Sequence, residues 1–233
     1  MLILMPFNPE DFISGGYFLT KRVQRPRDVS DLIPESFLTI SNCFASLAPD
    51  MWAEAGYNYE PQERVEKAAE FGIPASALPA LVELFTSTEQ PHHSNAFPKF
   101  AVAREFYRHC ADKNSIALLG IGLEPSLVES FRSQLTDDVN HGYGLEERIK
   151  LNNRLAPAGT PLGFEPLGYD ATKFHSWLCH NAPVEALQKF GVRPNSMGFI
   201  DSLEDAVRVT RDLKATGAEP AIWEPWLIVQ YAA

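Results

Sequence analysis

The stretch GYDATKFHSWLCHNAP, residues 168–183, decides how the C-terminal half of the chain is read. It sets two histidines, a cysteine and a tryptophan between His175 and His180. As a helix it would hold His175 and Cys179 on one face, four residues apart, as two zinc ligands require. No CxxC or HExxH pair elsewhere supplies the remaining ligands. Cys179 beside His180 offers a thiol and a base, but sequence neighbours on a helix point apart. Phe174, Trp177 and Leu178 are core residues by type. The stretch therefore reads as packed scaffold with no metal, cofactor or catalytic nucleophile. The alternative reading is a small metal-dependent or cysteine hydrolase centred on His175, Cys179 and His180.

Downstream, VEALQKFGV reads as a helix ended by Gly191. DSLEDAVRVTRDLKATG is a better one, with Asp201 or Ser202 as its cap, Glu204 and Asp205 in its first turn and Gly217 as its stop. WLIVQY is of strand type. Upstream, APAGTPLG has a linker's composition, so a lobe boundary near residues 156–163 is weighed against one domain over 1–233, and one domain is preferred. DDVNHGYGLEERIKLNNRL reads as a polar loop leading into a charged helix, and EPSLVESFRSQL as a helix opened by Pro125. IALLGIGL, residues 116–123, is apolar and of strand length; its G-x-G lacks the third glycine of a dinucleotide fingerprint and the Gly-Lys-Ser/Thr of a P-loop. It reads as a strand turning tightly into a helix.

Towards the N-terminus, NAFPKFAVAREFYRHC, SALPALVELF (Ser76 its cap) and PQERVEKAAEFGIP read as three helices. The last presents Val65, Ala68, Ala69 and Phe71 on or near one face. DLIPESFLTISNCFASLAPD is apolar and bounded by prolines, with no clear period. MLILMPF and YFLTKRV, joined by FISGG, read as a hairpin. The whole predicts an α+β class: one helix-rich domain with a small sheet formed by N- and C-terminal strands.

The 233 residues are 45% hydrophobic, enough for one core, and carry a formal net charge of -10. That charge repels phosphates and argues against nucleic acid and anionic membranes as partners. MLILMPF is too short for a signal or a span, so the expected location is cytoplasmic. Three dispersed cysteines, Cys43, Cys110 and Cys179, fit a reducing compartment and are expected to be small buried hydrophobes. Residues 35–89 hold nine acidic side chains against Arg64 and Lys67. Glu63, Glu66 and Glu70 line one helical face, where like charges repel unless a basic partner compensates. The candidate partner-binding residues are Glu60, Glu63, Glu66 and Glu70, with Asp137 and Asp138 as a second patch.

The C-terminal third also resembles a class of bacterial immunity proteins, the cognate inhibitors encoded beside polymorphic or contact-dependent toxins. The resemblance rests on Leu167-Gly168-Tyr169-Asp170, Phe174-His175-Ser176-Trp177-Leu178-Cys179, Asn195 with Gly198-Phe199-Ile200, and Glu219-Pro220 leading to Trp223-x-Pro225-Trp226. A weaker echo lies in SFLTISNCFASLAPDMW and LLGIGL. It implies a cytoplasmic, non-enzymatic binder that occludes one toxin domain, and the acidic balance fits a basic one. On this reading Trp177, Trp223 and Trp226 build the core, with their indole N–H groups bonded internally.

Overall fold

A computed structural model describes residues 7–27, 29–45, 47, 61–87, 96–135, 144–170, 173–180 and 182–232. In chain order the elements begin with β1 (Ile13–Lys21), β2 (Val23–Gln24), β3 (Ser36–Phe37), α1 (Pro61–Glu70), α2 (Leu78–Thr86) and α3 (Phe100–His109). They continue with β4 (Ile116–Leu123), α4 (Val128–Ser133), α5 (Leu145–Lys150), β5 (Thr160–Asp170) and β6 (Lys173–Ser176). The last are α6 (Ala182–Phe190), α7 (Leu203–Thr216) and β7 (Ile222–Tyr231). The class is α+β, as expected. Five strands form one antiparallel sheet in the order β1-β4-β7-β5-β6, and β2 pairs with β3 apart from it.

Both faces of the sheet are buried, because successive side chains on each strand enter different cores. On β4, Ile116 and Leu118 join one core while Ala117 and Leu119 join the other; on β7, Trp223 and Leu227 alternate with Ile222 and Trp226 in the same way. The first core is roofed by Ala68 of α1 and Phe71 just after it, Leu81 of α2, Phe106 of α3, Ala186 of α6 and Val209 of α7. The second is closed by Leu38, Ile40, Ala45 and Leu47, Phe131 of α4 and Ile149 of α5. The sheet curls around this second core, so that Phe18 of β1 and Phe174 of β6, on opposite edge strands, meet edge to face at 5.6 Å.

Residues 38–45 and Leu47 bridge the two edges. Thr20 Oγ1 of β1 donates to the Thr39 carbonyl at 2.8 Å, and Thr20 pairs with Leu47. On the far edge the Asn42 N–H donates to the Phe174 carbonyl at 2.9 Å, and Asn42 Oδ1 accepts from the Phe174 N–H at 3.0 Å. The strap thus satisfies part of an edge that would otherwise be open to pairing with other chains.

Glycines admit large side chains against the sheet. A Cβ on Gly120 would lie 2.9 Å from the Tyr231 ring, and one on Gly122 would lie 2.6 Å from Leu155. β4 runs through both glycines of LLGIGL and turns at Glu124 into the helical stretch opened by Pro125, as read. FISGG is no hairpin turn: the strand runs straight through it, with a bulge between Ser14 and Gly16 where Gly16 takes φ +121°. The proposed first strand, MLILMPF, lies outside the described residues apart from Phe7. Ser76 does not cap α2: residues Ala75–Ala77 form a 3-10 turn and Ala77 precedes the helix without a side-chain bond. Of the face expected on the first helix, Ala68 and the following Phe71 are buried and Val65 is half-buried, but Ala69 is exposed. The cap on α7 is as expected, with Ser202 Oγ accepting from the Asp205 N–H and Gly217 closing the helix in the left-handed region.

Candidate functional site

The strap and the stretch that opened the sequence analysis meet at the β6 edge. That stretch is not an α-helix: it is β6 followed by a 3-10 turn at Trp177–His180. His175 and Cys179 thus do not share a helical face, and the third proposed member, His180, has no side-chain description. Two residues from the strap join them. Cys43 Sγ lies 3.6 Å from His175 Nδ1, and Ser41 Oγ lies 3.8 Å from Cys179 Sγ. Among the described residues no group of three or more His, Cys, Asp or Glu side chains is arranged to hold a metal ion.

Ser41 organises the cluster. Its Oγ accepts from the Cys43 N–H and from the Ser176 N–H, both at 3.2 Å. A hydroxyl has two acceptor positions and one proton. With both acceptors used, the Ser41 proton points to Cys179 Sγ, which leaves the Cys179 S–H free to donate to Cys43. Cys43 is exposed, Cys179 half-buried and Cys110 buried, so the expectation of three small buried hydrophobes holds at Cys110, is met in part at Cys179 and fails at Cys43. The Cys43 thiol is held well below the usual range, first by the hydrogen bond from Cys179, with Ser41 and His175 adding to it. Cys179 is pushed up by the same bond and by burial. Burial alone pushes Cys110 up to about 12.

Behind this surface lies a buried carboxylate. Glu165 of β5 is fully buried; its Oε1 accepts from Ser176 Oγ at 2.6 Å and Thr39 Oγ1 at 3.0 Å, and its Oε2 has no partner among the described residues. Thr39 Oγ1 in turn accepts from the Ser41 N–H at 3.0 Å. A continuous polar path therefore runs from Glu165 through Thr39 to Ser41 and the two thiols. Burial pushes the Glu165 carboxyl up to about 7, against the two hydroxyl bonds that lower it.

Glu224 of β7 is also buried but is met by a cation. Its Oε1 accepts from Gln134 Nε2 at 2.6 Å, Ser130 Oγ at 2.9 Å and Lys214 Nζ at 3.0 Å. Burial raises its pKa, with Lys214 opposing. The pair is lopsided: the Lys214 side chain is 28% exposed and Glu224 2%. Lys214→Met strands a buried negative charge, whereas Glu224→Gln frees a lysine that reaches water. Lys214→Met should therefore cost about 2–3 kcal/mol at pH 7 and Glu224→Gln about 1 kcal/mol in urea denaturation. Equal costs would refute the asymmetry.

Of the proposed partner-binding residues, Glu66 and Glu70 are exposed on α1. Glu66 accepts from Gln62 at 3.0 Å and Glu70 pairs with Lys67 at 3.2 Å. Glu63 lies on α1 with no side-chain description, and Glu60, Asp137 and Asp138 fall outside the described residues. Trp177, Trp223 and Trp226 are buried as expected. Only Trp223 has its indole partner, the Glu219 carbonyl at 3.3 Å; the indole N–H groups of Trp177 and Trp226 have none among the described residues, contrary to expectation.

Sequence reasoning missed Cys43 and Ser41 because they stand more than 130 positions from the residues they meet. The one local hint was the polar Ser-Asn-Cys step at 41–43 inside an otherwise apolar run. Comparison of the chain with protein-family models, with curated proteins and with solved structures returned no match.

Proposed function

We propose that the chain is an immunity protein that binds a basic toxin domain of a bacterial competition system and neutralises it by occlusion, without catalysis of its own. The observation that carries this reading is the division of labour between inside and outside. The large apolar side chains of that resemblance are interior: Tyr169, Phe174, Trp177, Leu178, Phe199, Ile200, Trp223 and Trp226 are all buried, while Asp170, His175, Cys179, Asn195 and Glu219 are half-buried and Pro220 is exposed. They act as scaffold and leave the surface to recognise the partner. The excess of acid lies in residues 35–89, where Glu66 and Glu70 face outward on α1. An acidic face steers a basic partner at long range and fixes its register.

The test is co-purification of the tagged chain from a host carrying its native gene neighbourhood, with partners identified by mass spectrometry. A stoichiometric basic partner is expected. The triple variant Glu63→Lys, Glu66→Lys, Glu70→Lys should then bind that partner roughly 10- to 100-fold more weakly, mainly through a slower, less salt-sensitive association. Its denaturation midpoint should stay near that of the parent, since solvated charges on α1 contribute little to folding. Undiminished affinity of the triple variant would remove α1 from the interface; recovery of no partner would overturn the function.

A further inference from the structure

We propose that Cys43 and Cys179 form a peroxide-reactive dithiol, with Cys43 the attacking thiolate and Cys179 the thiol that resolves it into a disulfide. The proposal is independent of any toxin and rests on four features of the β6 edge. Cys43 is exposed, so a small oxidant reaches it. His175 Nδ1 stands 3.6 Å from its sulfur, placed to donate to a thiolate. Ser41 holds the Cys43 and Ser176 backbone N–H groups on one oxygen, which brings the strap and the turn bearing Cys179 together. With both its acceptor positions used, Ser41 has only its proton left for Cys179 Sγ at 3.8 Å, which keeps the Cys179 S–H available to the Cys43 thiolate. A depressed thiol pKa in a partly exposed, hydrogen-bonded setting is the environment in which sulfenic acid forms and a neighbouring thiol captures it.

The chemistry balances with a hydroperoxide as the oxidant. The Cys43 thiolate attacks one peroxide oxygen; an S–O bond forms, the O–O bond breaks, and the departing hydroxide takes a proton from solvent as water. Cys43 is now a sulfenic acid and no longer carries the negative charge that held the Cys179 proton in place. Cys179 sulfur then attacks Cys43 Sγ, the S–O bond breaks, and hydroxide leaves with the Cys179 proton as a second water. Two thiols supply two electrons to one peroxide. The product ties the strap to the turn after β6 and is reopened by thiol reductants.

The test uses the whole chain and hydrogen peroxide itself. Intact mass after one equivalent should fall by two hydrogens, and peptide mapping should find Cys43 joined to Cys179 with Cys110 still a thiol. In Cys179→Ser, dimedone should trap a sulfenic acid at Cys43; in Cys43→Ser, neither remaining cysteine should react. The wild-type protein also gives a reading without any variant. Lowering the pH from 8 to 6 slows iodoacetamide alkylation of an ordinary thiol on the order of a hundredfold, but should slow Cys43 by less than about threefold. Cys43 alkylation that tracks an ordinary thiol, or peroxide treatment that leaves both thiols free or carries Cys43 to sulfinic acid without a disulfide, would overturn the assignment.

Discussion

Glu165→Gln is expected to gain on the parent by about 2.5 kcal/mol between pH 5 and pH 8.5. The glutamate sits fully buried on β5 with its carboxyl raised from 4.5 to about 7 by desolvation. The folded chain thus holds this proton more tightly than the unfolded chain does. Its contribution to stability is present at low pH and is lost as pH rises through about 7. Among the described residues no cation stands beside it to take up the charge, in contrast to Glu224 with Lys214. Glutamine keeps the acceptor used by Thr39 and Ser176 and never ionises, so its stability should not follow that slope. Urea denaturation of both proteins across this range decides it: parallel pH profiles would mean that Glu165 is already neutralised by some other route.

The second large effect belongs to Trp226. It is fully buried, and its six-membered ring occupies the space left by the absent side chain of Gly15, where a Cβ would lie 2.7 Å from Cζ3. The Phe131 ring meets it edge to face at 6.4 Å. Trp226→Ala should cost about 3–5 kcal/mol by loss of burial and formation of a cavity. Gly15→Ala should cost about 1–3 kcal/mol in the parent by overpacking. Together they should cost less than their sum by about 1 kcal/mol, because the methyl group enters the space that the indole vacates. Relief stays incomplete, since Ile121 Cγ1 also stands 2.8 Å from that position. Strict additivity in the double-mutant cycle would show that the close approach does not govern either position.

Local chemistry announced some of this architecture and hid the rest. The ends of α7 were legible because a cap is made by residues within a few positions: Ser202 reaches Asp205, and Gly217 needs only its own freedom of φ. IALLGIGL was legible as strand because its composition admits little else. β5 was not, since Pro161, Gly163, Pro166 and Gly168 give it the look of a linker. The fold tolerates them by concentrating the defects: Pro166 lies opposite Pro225, so two missing donors fall on one rung, and the bulge between Pro161 and Gly163 absorbs another irregularity. His175 and Cys179 were singled out for a helical spacing that they do not have. They came together with Cys43 and Ser41 only through the curl of the sheet, and no periodicity in a single segment reports such a meeting.

The sheet order has a consequence for how the protein is made. β7 is the last strand in the chain, yet it lies at the centre, between β4 and β5. Until it emerges from the ribosome, β1 with β4 and β5 with β6 are two separate hairpin-like pairs, each with a bare edge, and neither core can close. The sheet therefore closes only once β7 is available, and until then the chain depends on protection from edge-to-edge association. A message truncated before Ile222 yields two unjoined halves rather than a slightly shorter protein, and a fusion at the C-terminus must leave Ile222–Tyr231 free to thread between its neighbours.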